Sequence, residues 1–241
     1  MEAISDIMKK VPVYNEQTKK IQEQIIKSDK RFLSFKETSG LMKYEEFKLL
    51  ISVKAQKNIL ERSIKQQFLI DHDNEPIIRQ LYLYFTNKPE CAWNLNAGLI
   101  FGGSYGCGKT ILMLAFIQIA DKFSEKQTTF IESKSLLELA KQDDLKVLYR
   151  RPLLIDDLGR EDAEVKSWGT TLTPVIDLFA HRYTSGARTY ATTNFKYHSL
   201  EGFYGKYIRT RMEEMMTYVD FPGESRRLKN EVKTTLNINP L

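Results

Sequence analysis

The sequence predicts an α/β fold in which a five-stranded parallel sheet carries helices on both faces and a small helical segment precedes it. Three observations predict it. Short apolar runs alternate with helical stretches from about residue 70 onward. A glycine-rich loop, Gly103 to Thr110, joins one such run to a helix. Residues 1 to about 70 hold no glycine except Gly40 and no proline except Pro12, and their apolar positions recur at helical spacing.

Taken in order, Ile21, Ile25 and Ile26 form one short helical stripe, and Phe47, Leu50, Ile51, Ile59, Leu60 and Ile64 suit one or two further helices. The polar break Asp71-His-Asp-Asn precedes Pro76, which fits the first turn of a helix running to about Thr86 and stopping before Pro89. A boundary is therefore expected near residue 70, between a helical domain 1–70 and a main domain 71–241. Strands are expected at Leu99 to Phe101, Thr128 to Ile131, Leu153 to Ile155, Thr189 to Thr192 and Met216 to Phe221. Between the first two, Ile111 to Phe123 is apolar on nearly every face, as a helix buried against a sheet should be. Ser135 and Glu138 have the spacing of a capping box, and Thr173-Pro174 opens a helix that Gly186 can close.

Composition bounds the function. A chain of 241 residues with 42% hydrophobic content can bury one full-sized core plus a small appendage. It has no run of about 18 apolar residues and no signal-peptide pattern at its start, so a cytoplasmic protein without membrane contact is expected. Cys91 and Cys107 form no metal-type spacing and read as free thiols. The net charge of +5 suits nucleic-acid binding without showing it, because 31 acids are interleaved with the bases.

Residues Gly103, Ser104, Tyr105, Gly106, Cys107, Gly108, Lys109 and Thr110 spell a complete G-x-x-x-x-G-K-[ST] loop directly after the run Leu99-Ile-Phe. Glycines without Cβ let consecutive backbone N–H groups converge on phosphates, and the following helix aims its N-terminus at the charge. Such a loop implies a nucleoside triphosphate. Lys109 is placed to reach its β- and γ-phosphates, and the Thr110 hydroxyl to ligate the accompanying Mg²⁺.

The second half of the site is legible further on. Leu153-Leu-Ile-Asp-Asp157 is an apolar strand ending in two carboxylates, about 45 residues after the loop. In open α/β sheets ligands sit beyond the carboxyl ends of the strands. Asp156 is therefore a candidate Mg²⁺ ligand and Asp157 a candidate general base for the attacking water. Thr189-Tyr-Ala-Thr-Thr-Asn194 ends in an amide that could hold that water or touch the γ-phosphate. Arg209 and Arg211 fall on a predicted helix, two residues apart and hence on different faces, and Arg226 and Arg227 follow the last strand. A guanidinium in such a place can stabilise the transition-state charge.

The combined motifs resemble the AAA+ family, and within it the DnaC and DnaI type helicase loaders and the IstB type transposition helpers. The resemblance covers about residues 74 to 230 and is carried by G-L-I-F-G-G-S-Y-G-C-G-K-T, L-L-I-D-D-L-G-R-E, the H-R-Y before T-Y-A-T-T-N-F, and Y-G-K-Y-I-R-T-R-M with F-P-G-E-S-R-R. It implies an AAA+ P-loop domain using ATP and Mg²⁺. It gives Asn194 the sensor 1 role, Arg211 the arginine finger that completes a neighbour's site, with Arg209 as the alternative, and Arg226 or Arg227 the sensor 2 role. Only about twenty residues follow the last strand, too few for the C-terminal helical lid of most AAA+ proteins. The finger implies a homo-oligomer, a ring or a spiral.

The resemblance further implies an ATPase that loads a replicative hexameric helicase, gripping it through the N-terminal helices. The alternative is an IstB-like helper that recruits a transposase. A small-molecule phosphotransferase built on the same loop is a third reading, from another class. Single-stranded DNA is a further candidate ligand, through Lys134, Lys141, Lys146, Arg150 and Arg151 with Tyr149 as a stacking ring.

Overall fold

The computed structural model describes residues 42–62, 66–161, 165–167 and 170–226. In chain order it contains α1 (Tyr44–Glu61), α2 (Glu75–Phe85), β1 (Gly98–Gly103), α3 (Lys109–Ala120), β2 (Thr129–Glu132), α4 (Leu136–Lys141), β3 (Leu153–Leu158), β4 (Val165–Ser167), β5 (Thr170–Leu172), α5 (Pro174–Ser185), β6 (Thr189–Thr193), α6 (Ser199–Met215) and β7 (Met216–Phe221). Five strands form one parallel sheet in the order β2-β3-β6-β1-β7. The expected five strands are therefore all present. The antiparallel pair β4 and β5 was not expected from the sequence.

Period-two alternation along the strands divides the core in two. Leu99, Phe101, Leu154 and Tyr190 face one cluster together with α1, α2 and α3, while Ile100, Leu153, Ile155 and Ala191 face another built with α4, α5 and α6. Buried strands in a parallel sheet read as continuous apolar runs because both faces are covered. Helix α3 is hydrophobic almost all round for the same reason, lying between β-sheet and α1.

Phe47, Ile51 and Ala55 of α1 are fully buried in the cluster that contains Leu99 and Phe116. The core is thus continuous across residue 70, the expected domain boundary. Leu60, expected on an apolar helix face, points outward, whereas Leu50 is half-buried against the core. Ile21, Ile25, Ile26 and Ile64 lie outside the described residues.

Helix punctuation follows local chemistry. The Lys43 N–H donates to Glu46 Oε2 at 3.0 Å at the start of α1, and Gly186 ends α5 in the left-handed conformation (φ 63°). The capping box expected from Ser135 and Glu138 does not form. Ser135 closes a 3₁₀ turn with helical dihedrals (φ −75°, ψ −14°), and a cap side chain needs an extended backbone to reach back. Helix α6 is broken at Gly205 (φ 77°, ψ 159°), so Arg209 and Arg211 sit on the segment after the break.

Arg182 is fully buried and knits the bottom of this architecture together. Its guanidinium donates to the carbonyls of Leu148, Arg151 (2.9 Å) and Arg188 (2.6 Å) and to Thr189 Oγ1 (3.0 Å). Those contacts tie α5 to the segment before β3 and to the start of β6. Burial pulls the group down to about 10, so it remains charged at neutral pH.

Candidate functional site

The loop from Gly103 to Thr110 connects the C-terminal end of β1 to α3, and its backbone requires glycine at two points. Gly106 has φ 76°, and a Cβ there would lie 2.3 Å from Ser225 Oγ; Gly108 has φ 110°. The loop opens onto a cavity of about 290 Å³ whose lining includes Tyr105 to Leu112, Asp156, Asp157, Asn194 and Arg226. A concave site with convergent polar groups at strand C-termini is where this class of sheet binds ligands.

Lys109 is buried, and its ammonium donates to the carbonyls of Gly103 (2.9 Å) and Ser104 (2.7 Å) and to Asn194 Oδ1 (3.0 Å). Burial pushes its proton affinity down, and Cys107, Asp157 and Asp156 pull it back. Beside it, the Thr110 hydroxyl donates to Asp156 Oδ1 at 2.7 Å. This pair of oxygens suits a hard, oxygen-seeking cation such as Mg²⁺.

The two aspartates are displayed by a local irregularity. Ile155 pairs with Ala191 and Leu158 with Thr193, so Asp156 and Asp157 on β3 oppose the single residue Thr192 on β6. Thr192 Oγ1 serves both, donating to Asp156 Oδ1 (2.5 Å) and accepting the Asp157 N–H (3.0 Å). Asp157 itself is left-handed (φ 57°), an uncommon conformation for a residue with a side chain and one found at functional sites. Its carboxylate accepts from Arg160 at 2.7 Å and, at 3.4 Å, from the Asn194 amide. Lys109, Thr110, Asp156, Asp157 and Asn194, which come from three strand ends, therefore meet in one cleft.

The arginines separate sharply. Arg226 lines the cavity: its Nε donates to Cys107 O (2.8 Å), its backbone N–H to Gly106 O (2.9 Å), and its fork to both oxygens of Asp71 (2.5 and 3.0 Å). Arg227 lies outside the described residues. Neither Arg209 nor Arg211 lines this cavity. Arg209 is held by Glu201 (3.0 Å), Glu213 (2.5 Å) and the Tyr197 hydroxyl (3.1 Å). Arg211 has no carboxylate partner among the described residues. Its guanidinium stacks over the Tyr207 ring at 3.4 Å, with the Tyr183 ring at 5.1 Å.

Several residues of the site escaped the sequence reading. Arg160 pairs with Asp157, and Thr192 organises both aspartates. Glu161, buried, accepts the Gly159 N–H at 2.9 Å and the Tyr204 hydroxyl, bracing the turn that follows β3. Asp71 reaches the site from the segment before α2. The only available signal was proximity in sequence to Asp157 and Asn194, which Asp71 lacks.

The basic residues considered for single-stranded DNA are partly engaged. Lys141 pairs with Glu138 (2.8 Å) and Lys146 with Asp143 (2.7 Å), while Lys134, Arg150 and Arg151 are exposed. One face of Tyr149 is covered by His181, stacked with ring centroids 4.1 Å apart. Cys91 and Cys107 are free thiols, and among the described residues no helix is long and apolar enough to cross a membrane.

No family model and no curated protein matches the sequence. Among solved structures, the DnaC helicase loader aligns with a TM-score of 0.52 at 21% identity, over 66% of this chain and 95% of that chain. A protein from Streptococcus pyogenes serotype M3 described as a primosome component aligns with a TM-score of 0.51 at 18% identity, over 65% and 83%. The chain thus shares its α/β fold, a five-stranded parallel sheet flanked by helices, with these two proteins.

Proposed function

We propose that this protein is an ATPase of the AAA+ type that self-assembles and loads a replicative hexameric DNA helicase. The observation that carries this reading is the meeting of Lys109, the Thr110–Asp156 pair, Asp157 and Asn194 at the rim of one cleft, in a fold shared with a helicase loader. Residues Gly103 to Thr110 would cradle the phosphates of ATP, with Lys109 on the β- and γ-phosphates. Thr110 and Asp156 would hold Mg²⁺, which when bound neutralises charge on the phosphates. Asp157 would accept the proton of the attacking water while Asn194 orients it.

Of the two candidate fingers, Arg211 fits better than Arg209. A finger must offer its donors to a neighbouring copy, and Arg209 already spends its own on two carboxylates. Arg226 suits the sensor 2 role because it touches the phosphate loop within the same chain. Residues 1–70 would carry the helicase contact. In support, Leu49, Val53 and Leu60 are 65%, 57% and 63% exposed on the side of α1 away from the core, a stripe of the kind that docks on partner helices.

The test is affinity capture of Asp157→Asn protein from its native cells with ATP present, followed by mass spectrometry. Recovery of a replicative helicase supports loading. A transposase would point to the transposition-helper reading instead, and capture of no protein partner would favour a small-molecule phosphotransferase.

A further inference from the structure

Arg226 grips two parts of the molecule at once. Through Nε and its backbone N–H it is fastened to Cys107 O and Gly106 O of the phosphate loop, and through its fork it chelates Asp71, 155 residues away in sequence. Asp71 belongs to a strap, residues 66–74, that also lines the cavity. The strap is pinned to α1 by Gln56, whose amide donates to Gln66 O (3.1 Å) and accepts the Phe68 N–H (2.8 Å). Gln66 in turn donates to Arg226 O at 3.4 Å. An unbroken run of contacts therefore leads from α1 through the strap to the loop.

We infer that Asp71 is an affinity-determining residue of the cleft, a built-in counter-ion that competes with nucleotide phosphates for the Arg226 guanidinium. This role rests on the nucleotide reading of the cleft. Its physical basis is the fork itself. A guanidinium recognises planar pairs of anionic oxygens, and carboxylate and phosphate present the same pattern, so one fork cannot serve both in full. The pair is only half-buried (27% and 35% exposed), which leaves it reachable from solvent and weak enough to be displaced. Phosphates that draw the Arg226 guanidinium away from Asp71, and from Asp73 at 4.0 Å, loosen the strap's hold on the loop, leaving Gln66 on Arg226 O, and α1 is the next element along that run of contacts. By linkage, whatever moves the strap alters nucleotide affinity in return.

Asp71→Asn isolates the charge. The asparagine keeps an Oδ1 that can accept the N–H groups of Asp73 and Asn74, now at 3.1 and 3.2 Å, so the turn before α2 is retained. Asp71→Ser is a second variant with a turn-compatible acceptor. The experiment measures binding of a fluorescent ATP analogue to the full chain as wild type, Asp71→Asn, Asp71→Ser, Arg226→Gln and the Asp71→Asn/Arg226→Gln double variant. Both Asp71 variants are expected to bind about three- to tenfold tighter than wild type, and the gain should vanish in the Arg226→Gln background. Equal or weaker binding by both Asp71 variants, or a gain that persists without Arg226, overturns the competition. Wild-type protein that binds no ATP analogue would instead overturn the nucleotide reading of the cleft, and this role with it.

Discussion

Lys109 Nζ donates to Asn194 Oδ1 at 3.0 Å, joining the phosphate loop after β1 to the end of the adjacent strand β6. The same amide donates at 3.4 Å to Asp157 on the next strand, so one asparagine spans the cation and the candidate base. The two ends of this bridge should fail differently when mutated.

Lys109→Ala removes the buried cation and is expected to weaken ATP binding by about 10- to 100-fold, as loss of a charge-assisted contact does. Asp157→Asn keeps the phosphate cradle and a residue type that tolerates the left-handed backbone at φ 57°. It should bind ATP normally while kcat falls by about 10²- to 10⁴-fold. Titration with a fluorescent ATP analogue alongside phosphate release separates the two, and normal turnover in either variant would remove the site assignment.

Arg211→Ala should lower kcat by about 10³-fold, whereas Arg209→Ala, which breaks ion pairs to Glu201 and Glu213, should chiefly lower the melting temperature. Mixing Arg211→Ala with Lys109→Ala subunits should restore part of the activity, because a mixed assembly can place an intact Lys109 opposite an intact Arg211. No recovery at any ratio argues against a shared site.

Arg182→Ala should destabilise the fold by about 3–5 kcal/mol, since it strands the buried carbonyls that the guanidinium now satisfies. Urea unfolding followed by circular dichroism measures this. A loss below about 1 kcal/mol would show that water or a rearranged segment takes over the carbonyls.

The Asp71–Arg226 pair predicts a pH dependence with a definite sign. Hydrogen bonding from Arg226 holds the Asp71 carboxyl down to about 2 against an ordinary 3.8, with burial opposing it and the guanidinium charge assisting. A carboxylate with a depressed value stabilises the fold fully above its unfolded value and loses that contribution as pH falls through the folded one. Asp71→Asn should therefore melt below wild type by a constant margin above about pH 5, and the margin should close between about pH 4 and pH 2. A margin independent of pH would mean that the charge of Asp71 contributes nothing to stability.

The sequence by itself determined those features in which chemistry and neighbourhood coincide. The phosphate loop is contiguous, so its glycines, Lys109 and Thr110 announce both geometry and ligand class. The strand Leu153 to Asp157 and the strand ending at Asn194 could be placed at the same sheet edge, because a parallel α/β sheet puts the carboxyl ends of its strands together. Tertiary structure alone decided which charges meet. Spacing puts Arg209 and Arg211 on different faces of one helix without saying what each face meets; in the fold one is neutralised by Glu201 and Glu213 and the other stacks on Tyr207. Asp71 carried no signal because its partner lies 155 residues away. Side-chain pairing across elements depends on orientation and register in three dimensions, and a one-dimensional pattern holds only the interactions that local spacing enforces.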